Sequence, residues 1–134
     1  MKLIINTDGG ARGNPGPAGI GVVIRDQGGA LVANHKQYIG EGTNNFAEYR
    51  ALILALERAA SLGADELLVR MDSELIVRQM QGRYKIKEPQ LKILAAEVLK
   101  LMHRFKSVTF KHIPRAENKQ ADKLVNEAID ESQS

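Results

Sequence analysis

Cysteine is absent from these 134 residues. That excludes disulfides, thiolate zinc sites and cysteine nucleophiles. No apolar run approaches the ~20 residues that a membrane-spanning helix needs. The apolar part of Met1–Asn6 is too short for a secretory signal, so a cytosolic location is the expectation. Repeats, low-complexity segments and linkers are also missing. What remains is an ordinary globular composition, 43% apolar and 26% charged. The length predicts one domain, over 1–131, with a frayed tail at 132–134. One core accounts for the apolar positions, which predicts a monomer.

The net charge of +3 is unevenly spread. Residues 1–77 and 120–134 are net acidic, by 2 and 3 charges, whereas 78–119 is net basic by 8. The basic stretch includes Arg78, Arg83, Lys85, Lys87, Arg104 and Arg115. By itself it reads first as a solvated helix face plus loops. Beside an acidic metal site it reads as a surface for a polyanion such as nucleic acid.

Period-two and helical patterning give the element order. Lys2–Thr7, Ala18–Arg25 and Ala30–Ile39 read as strands, the last two joined by the turn Asp26-Gln27-Gly28-Gly29. Asn44–Leu62 is a helix closed by Gly63, and Glu66–Met71 is a fourth strand reached by a helical crossover. Ser73–Gln81 is a short helix. Pro89 begins a long one whose stripe runs from Leu91 to Phe105. Val108–His112 is a fifth strand, and a last helix follows Asn118 and ends near Glu131. This predicts an α/β fold: a five-stranded mixed sheet, three strands antiparallel and then two parallel, flanked by helices.

Four acids fall at junctions of these elements: Asp8, Glu48, Asp72 and Asp122. Asp8 and Asp72 end apolar strands, while Glu48 and Asp122 lie near the starts of helices. Each has a second reading taken singly. Asp8 suits a turn, Glu48 a capping box with Asn45, and Asp72 and Asp122 a helix N-terminus. Four together, at the places where α/β sheets put their chemistry, favour a site. Such acids repel one another unless a hard cation such as Mg²⁺ takes their oxygens as ligands.

The turn Gly9–Gly16 lacks the Lys-Ser/Thr ending of a phosphate-binding P-loop and leads into a strand, so it is no nucleotide fingerprint. Its glycines allow close backbone approach to a ligand, and Asn14 offers an amide. Thr43, Asn44 and Asn45 place short polar groups at a helix start, where phosphate is favoured and where ordinary capping needs only one of them. His112, at a strand end, suits proton transfer near neutral pH. His35 and His103 read as structural.

Four ordered motifs carry a resemblance. Thr7–Gly19, Thr43–Glu48, Met71–Glu74 and His112–Asp122 resemble the motifs of type 1 ribonuclease H over nearly the whole chain. The resemblance implies a ribonuclease H-like fold and an endonuclease for the RNA strand of RNA/DNA hybrids. It also implies two Mg²⁺ ions, or Mn²⁺, on Asp8, Glu48, Asp72 and Asp122, and products with 5′-phosphate and 3′-hydroxyl ends. His112 matches a histidine that assists proton transfer or product release. Asn14, Thr43, Asn44, Asn45 and Glu74 match substrate-contacting positions. Three features depart from it. Gln81–Pro89 is short for the basic protrusion that some bacterial members insert, and no separate hybrid-binding domain is seen. Glu41 stands where some members place an arginine that holds a DNA-strand phosphate, and an acid there repels phosphate. Two alternatives stay open: cleavage of double-stranded RNA as well, and a catalytically silent binding module.

Overall fold

The computed structural model describes residues 1–134. Its elements are β1 (Lys2–Ala11), β2 (Gly16–Asp26), β3 (Leu31–Gly42), α1 (Asn44–Ser61), β4 (Glu66–Met71), α2 (Glu74–Met80), α3 (Pro89–Met102), β5 (Ser107–His112) and α4 (Lys119–Gln133). The five strands form one sheet in the order β3-β2-β1-β4-β5. β1 pairs antiparallel with β2, and β2 with β3; β4 runs parallel to β1, and β5 to β4. This is the mixed sheet expected.

Side chains alternate across β1 and β2 and set what covers each face. Leu3, Ile5, Val22 and Ile24 join Tyr49, Leu52 and Leu56 of α1 in the main core. Leu91, Ala95, Val98 and Leu101 of α3 pack onto the same cluster. The opposite face of β2 presents Gly19, Gly21 and Val23, and α4 lies against it. β2 is therefore buried on both sides through most of its length.

Three local features explain the boundaries. β1 continues past Thr7 to Ala11, because Gly9, Gly10 and Ala11 still pair with Ile20, Gly19 and Ala18. Only the parallel pairing with β4 stops at Thr7, opposite Met71. Half of the residues expected as a glycine-rich turn are thus strand, and the bend itself is Arg12–Pro15. At the other end of the chain, α4 reaches Gln133, two residues beyond the expected Glu131. α3 stops at Met102, and Phe105 is buried from the turn that follows. Gly63 follows the last turn of α1 at φ +78°, the left-handed conformation that glycine adopts at little cost.

Candidate active site

Asp8 and Asp72 are the first residues beyond the last parallel pair, Thr7 with Met71. They therefore emerge side by side where the parallel pairing of β1 and β4 ends, on the carboxyl side of the sheet, where open α/β sheets bind ligands. Glu48, in the second turn of α1, accepts a hydrogen bond from the Gly9 N–H at 2.7 Å. α1 comes this close because Gly9 has no side chain: a β-carbon there would lie 2.3 Å from the Ala47 carbonyl carbon. The capping-box reading of Glu48 is thereby set aside. The cap belongs to Thr43, whose Oγ1 accepts from the Phe46 N–H at 3.1 Å.

Oxygens of Asp8, Glu48 and Asp72 lie within 4.8 Å of one another. Asp122 projects from the first turn of α4 into the same cleft, of about 500 Å³, beside Asp8. Gly21 makes that approach possible. It pairs with Asp8 across the antiparallel ladder, and its missing side chain admits the Ala121 carbonyl next to Asp122.

Burial and like charge act together on these acids. The Asp8 carboxyl is raised from 3.8 to about 8, first by burial and then by the charges of Asp72 and Asp122. Glu48 is pushed well above its ordinary value by burial, with Asp8 and Asp72 adding to the shift. Without a cation, burial and repulsion favour the protonated forms of Asp8 and Glu48. A donor set made only of carboxylate oxygens fits a hard divalent cation, whose charge removes the repulsion that raises these groups.

The remaining expected residues are distributed around the cleft. Asn44 lines it, and its Oδ1 accepts from the Ala11 N–H at 2.8 Å. Asn14 Oδ1 accepts from the Asn44 N–H at 3.0 Å, so these two residues tie the β1–β2 bend to the start of α1. Asn45 lies apart, in a smaller cleft of about 260 Å³ with Gln79, Lys85 and Lys87. His112 closes β5 outside the acidic cleft, with Nδ1 at 3.9 Å from Glu74 Oε2. Glu74 also faces Arg78 at 3.8 Å.

Three residues that the sequence reading did not assign to the site belong to it. Asn118, expected to cap the last helix, makes no side-chain cap; its amide is buried and donates to the Thr7 carbonyl at 2.9 Å and to Asp72 Oδ2 at 3.3 Å. Arg115 stands at the rim, 84% exposed, with Nη2 at 3.9 Å from Asp122 Oδ1. Arg12 also lines the cleft and is anchored to Asp130 at 2.6 Å. The signal for Asn118 was its place four residues before Asp122, which capping explained equally well.

The chain matches the reverse transcriptase-like family over residues 6–128. It is 48% identical over 131 residues to a bifunctional protein of Mycobacterium tuberculosis, covering 97% of this chain and 36% of that one. It is 43% identical over 125 residues to ribonuclease HI of Halobacterium salinarum, covering 93% and 63%. The chain thus spans about a third of the mycobacterial relative and under two thirds of the halobacterial one. Among solved structures, LC11 ribonuclease H1 in complex with an RNA/DNA hybrid superposes with a TM-score of 0.95 at 56% identity, covering 98% of this chain and 99% of that one. With the acids of all four motifs lining one cleft on this sheet, the chain belongs to the type 1 ribonuclease H family.

Proposed function

We propose that this chain is a metal-dependent endoribonuclease that cuts the RNA strand of RNA/DNA hybrids, leaving 5′-phosphate and 3′-hydroxyl ends. The observation that carries the reading is the gathering of Asp8, Glu48 and Asp72, oxygens within 4.8 Å, with Asp122 in the same cleft. The hybrid held by the LC11 relative supports the substrate class.

Asp8, Glu48, Asp72 and Asp122 would hold two Mg²⁺ ions, with Mn²⁺ as a substitute. Bound there, the cations supply an activated water and charge stabilisation at the leaving 3′ oxygen. The chain's own groups do the rest. Glu48 is oriented by the Gly9 N–H, and Asp72 by the Asn118 amide. His112, beside Glu74 at the edge of the site, moves a proton during turnover or product release. Asn14 and Asn44 commit their side-chain oxygens within the protein and keep their NH₂ groups for the minor groove, where 2′-hydroxyls mark RNA. Thr43, Asn45 and Glu74 extend the contact surface, and Arg115 offers a positive charge at the rim. We place the activity in the cytoplasm, carried by a monomer.

Glu41 favours a second substrate. It is exposed near the start of α1, next to Gly42, and an acid there weakens the hold on a DNA-strand phosphate. The test is cleavage of labelled RNA/DNA hybrid and double-stranded RNA with Mg²⁺, Mn²⁺ or EDTA. Hybrid cutting that EDTA abolishes supports the reading, and comparable cutting of the RNA duplex widens it. Binding without cutting under either metal contradicts it in favour of a silent module.

A further inference from the structure

Asn118 sits at the junction of the 3-10 turn Arg115–Glu117 and α4, and is 1% exposed. Its backbone carbonyl accepts from the Asp122 N–H at 3.1 Å, so it is fixed to the helix that carries the fourth acid. Its side-chain nitrogen faces two groups that can only accept: the Thr7 carbonyl at 2.9 Å and Asp72 Oδ2 at 3.3 Å. That leaves its oxygen pointing the other way. There the Asn6 side-chain NH₂ donates to it at 3.0 Å.

An amide can turn over by 180° with little change of shape, exchanging donor for acceptor. In the turned state Asn118 would set its oxygen against the Thr7 carbonyl and the Asp72 carboxylate. Those two acceptors oppose this, and Asn6 adds to the present orientation by donating to the Asn118 oxygen. Asn6 reaches it from the same strand that carries Asp8, two residues earlier. The Thr7 carbonyl and Asp72 fix the orientation of the Asn118 amide, and one side chain outside the acidic cleft, Asn6, adds the third contact that holds it there.

We propose that Asn6 is a positioning residue for Asp72, acting through the Asn118 amide. The proposal rests on the nuclease reading for its effect on turnover, but not for its effect on the Asn118 amide or on metal binding. Outer partners of metal-binding carboxylates act by fixing their orientation, and their loss typically costs about 10- to 100-fold in metal affinity or activity.

Asn6→Asp separates this role from plain packing. It keeps the shape but can only accept, so it pulls the Asn118 NH₂ toward itself and turns the amide oxygen onto Asp72. An added negative charge near the cleft would otherwise strengthen cation binding, so positioning and simple electrostatics predict opposite signs. Three readouts are needed on the whole chain: Mn²⁺ binding by the protein alone, the Asn118 side-chain NH₂ signals in ¹⁵N NMR, and hybrid cleavage. Expected for Asn6→Asp are Mn²⁺ binding weaker by roughly 10-fold, a shifted Asn118 NH₂ pair, and kcat down by a similar factor with KM unchanged. Asn6→Ala, which removes the donor without reversing it, is expected to show a smaller loss and faster exchange of the Asn118 NH₂. Wild-type or tighter Mn²⁺ binding in Asn6→Asp, with Asn118 signals unmoved, overturns the proposal. So does an Asn6→Ala defect equal to or larger than that of Asn6→Asp, since that is what loss of packing alone produces. If Asn6→Asp does not fold, Asn6→Ala decides alone: wild-type Mn²⁺ binding and NH₂ exchange overturn the proposal. A wild-type protein that binds Mn²⁺ but cuts no hybrid contradicts the nuclease reading, and the first two readouts still decide the role of Asn6.

Discussion

Gly21 lies directly beneath the carbonyl of Ala121: a β-carbon on Gly21 would stand 2.4 Å from that oxygen. Because Gly21 pairs with Asp8 on β1, and Ala121 precedes Asp122 on α4, this bare spot on β2 sets the distance between two site acids. Gly21→Ala is expected to push α4 outward. The prediction is a stability loss of about 2 kcal/mol, in the range of overpacked core sites, together with a fall in hybrid cleavage of tenfold or more. Thermal unfolding and initial rates check it. Unchanged rates would mean that Asp122 tolerates displacement.

The raised carboxyls give the metal-free protein a pH dependence of definite sign. Asp8 goes from 3.8 to about 8, and Glu48 is raised as well. The folded state therefore keeps protons that the unfolded chain has already lost. For Asp8 the stabilising effect is complete below about pH 4 and is lost as pH rises toward 8, and Glu48 acts in the same direction. Unfolding in EDTA should show stability declining across this window, by roughly 2 kcal/mol or more. Asp8→Asn should flatten the decline, and saturating Mg²⁺ should oppose it.

Cation binding must displace the same protons, so metal affinity should rise with pH. The Mn²⁺ concentration giving half-saturation is expected to fall several-fold between pH 6 and pH 8. A pH-independent value would mean that Asp8 is not among the ligands.

Thr7 is fully buried and its Oγ1 has no hydrogen-bond partner. Its face of β1 belongs to the apolar core with Leu3 and Ile5. Burying a hydroxyl unpaired is costly, so Thr7→Val is expected to stabilise the fold by about 1 kcal/mol. Equilibrium denaturation measures this directly, and a destabilised variant would show that the hydroxyl has a partner in solution.

His112→Ala is expected to slow turnover without abolishing it, because His112 stands outside the acidic cleft, at 3.9 Å from Glu74. The readout is single-turnover cleavage. Complete loss of activity would place the imidazole at the reacting atoms.

Much of this was legible in the chain itself. β4 was expected at Glu66–Met71 and lies there, because its apolar run is bounded on both sides by turn residues and acids. The mixed sheet followed from a hairpin and then a crossover helix. The role of the glycines was not legible. The glycines of the turn at Gly9 read as room for a ligand and Gly21 was not singled out, whereas Gly9, Gly19 and Gly21 let α1 and α4 press onto the sheet. Glycine marks a close approach without saying to what, and a sequence does not distinguish a ligand from a helix of the same chain. Asn118 was hidden for a related reason. Asparagine before a helix is usually a cap, and only the meeting of β1, β4 and α4 gives its amide other partners.

The most direct test of the account is hybrid cleavage by Asp8→Asn in Mg²⁺, measured beside hybrid binding by the same protein. Removing one ligand oxygen from the cluster, while leaving the basic surface intact, should abolish cleavage and keep binding close to that of the parent. Cleavage at the parental rate would contradict a reaction carried by Asp8, Glu48, Asp72 and Asp122.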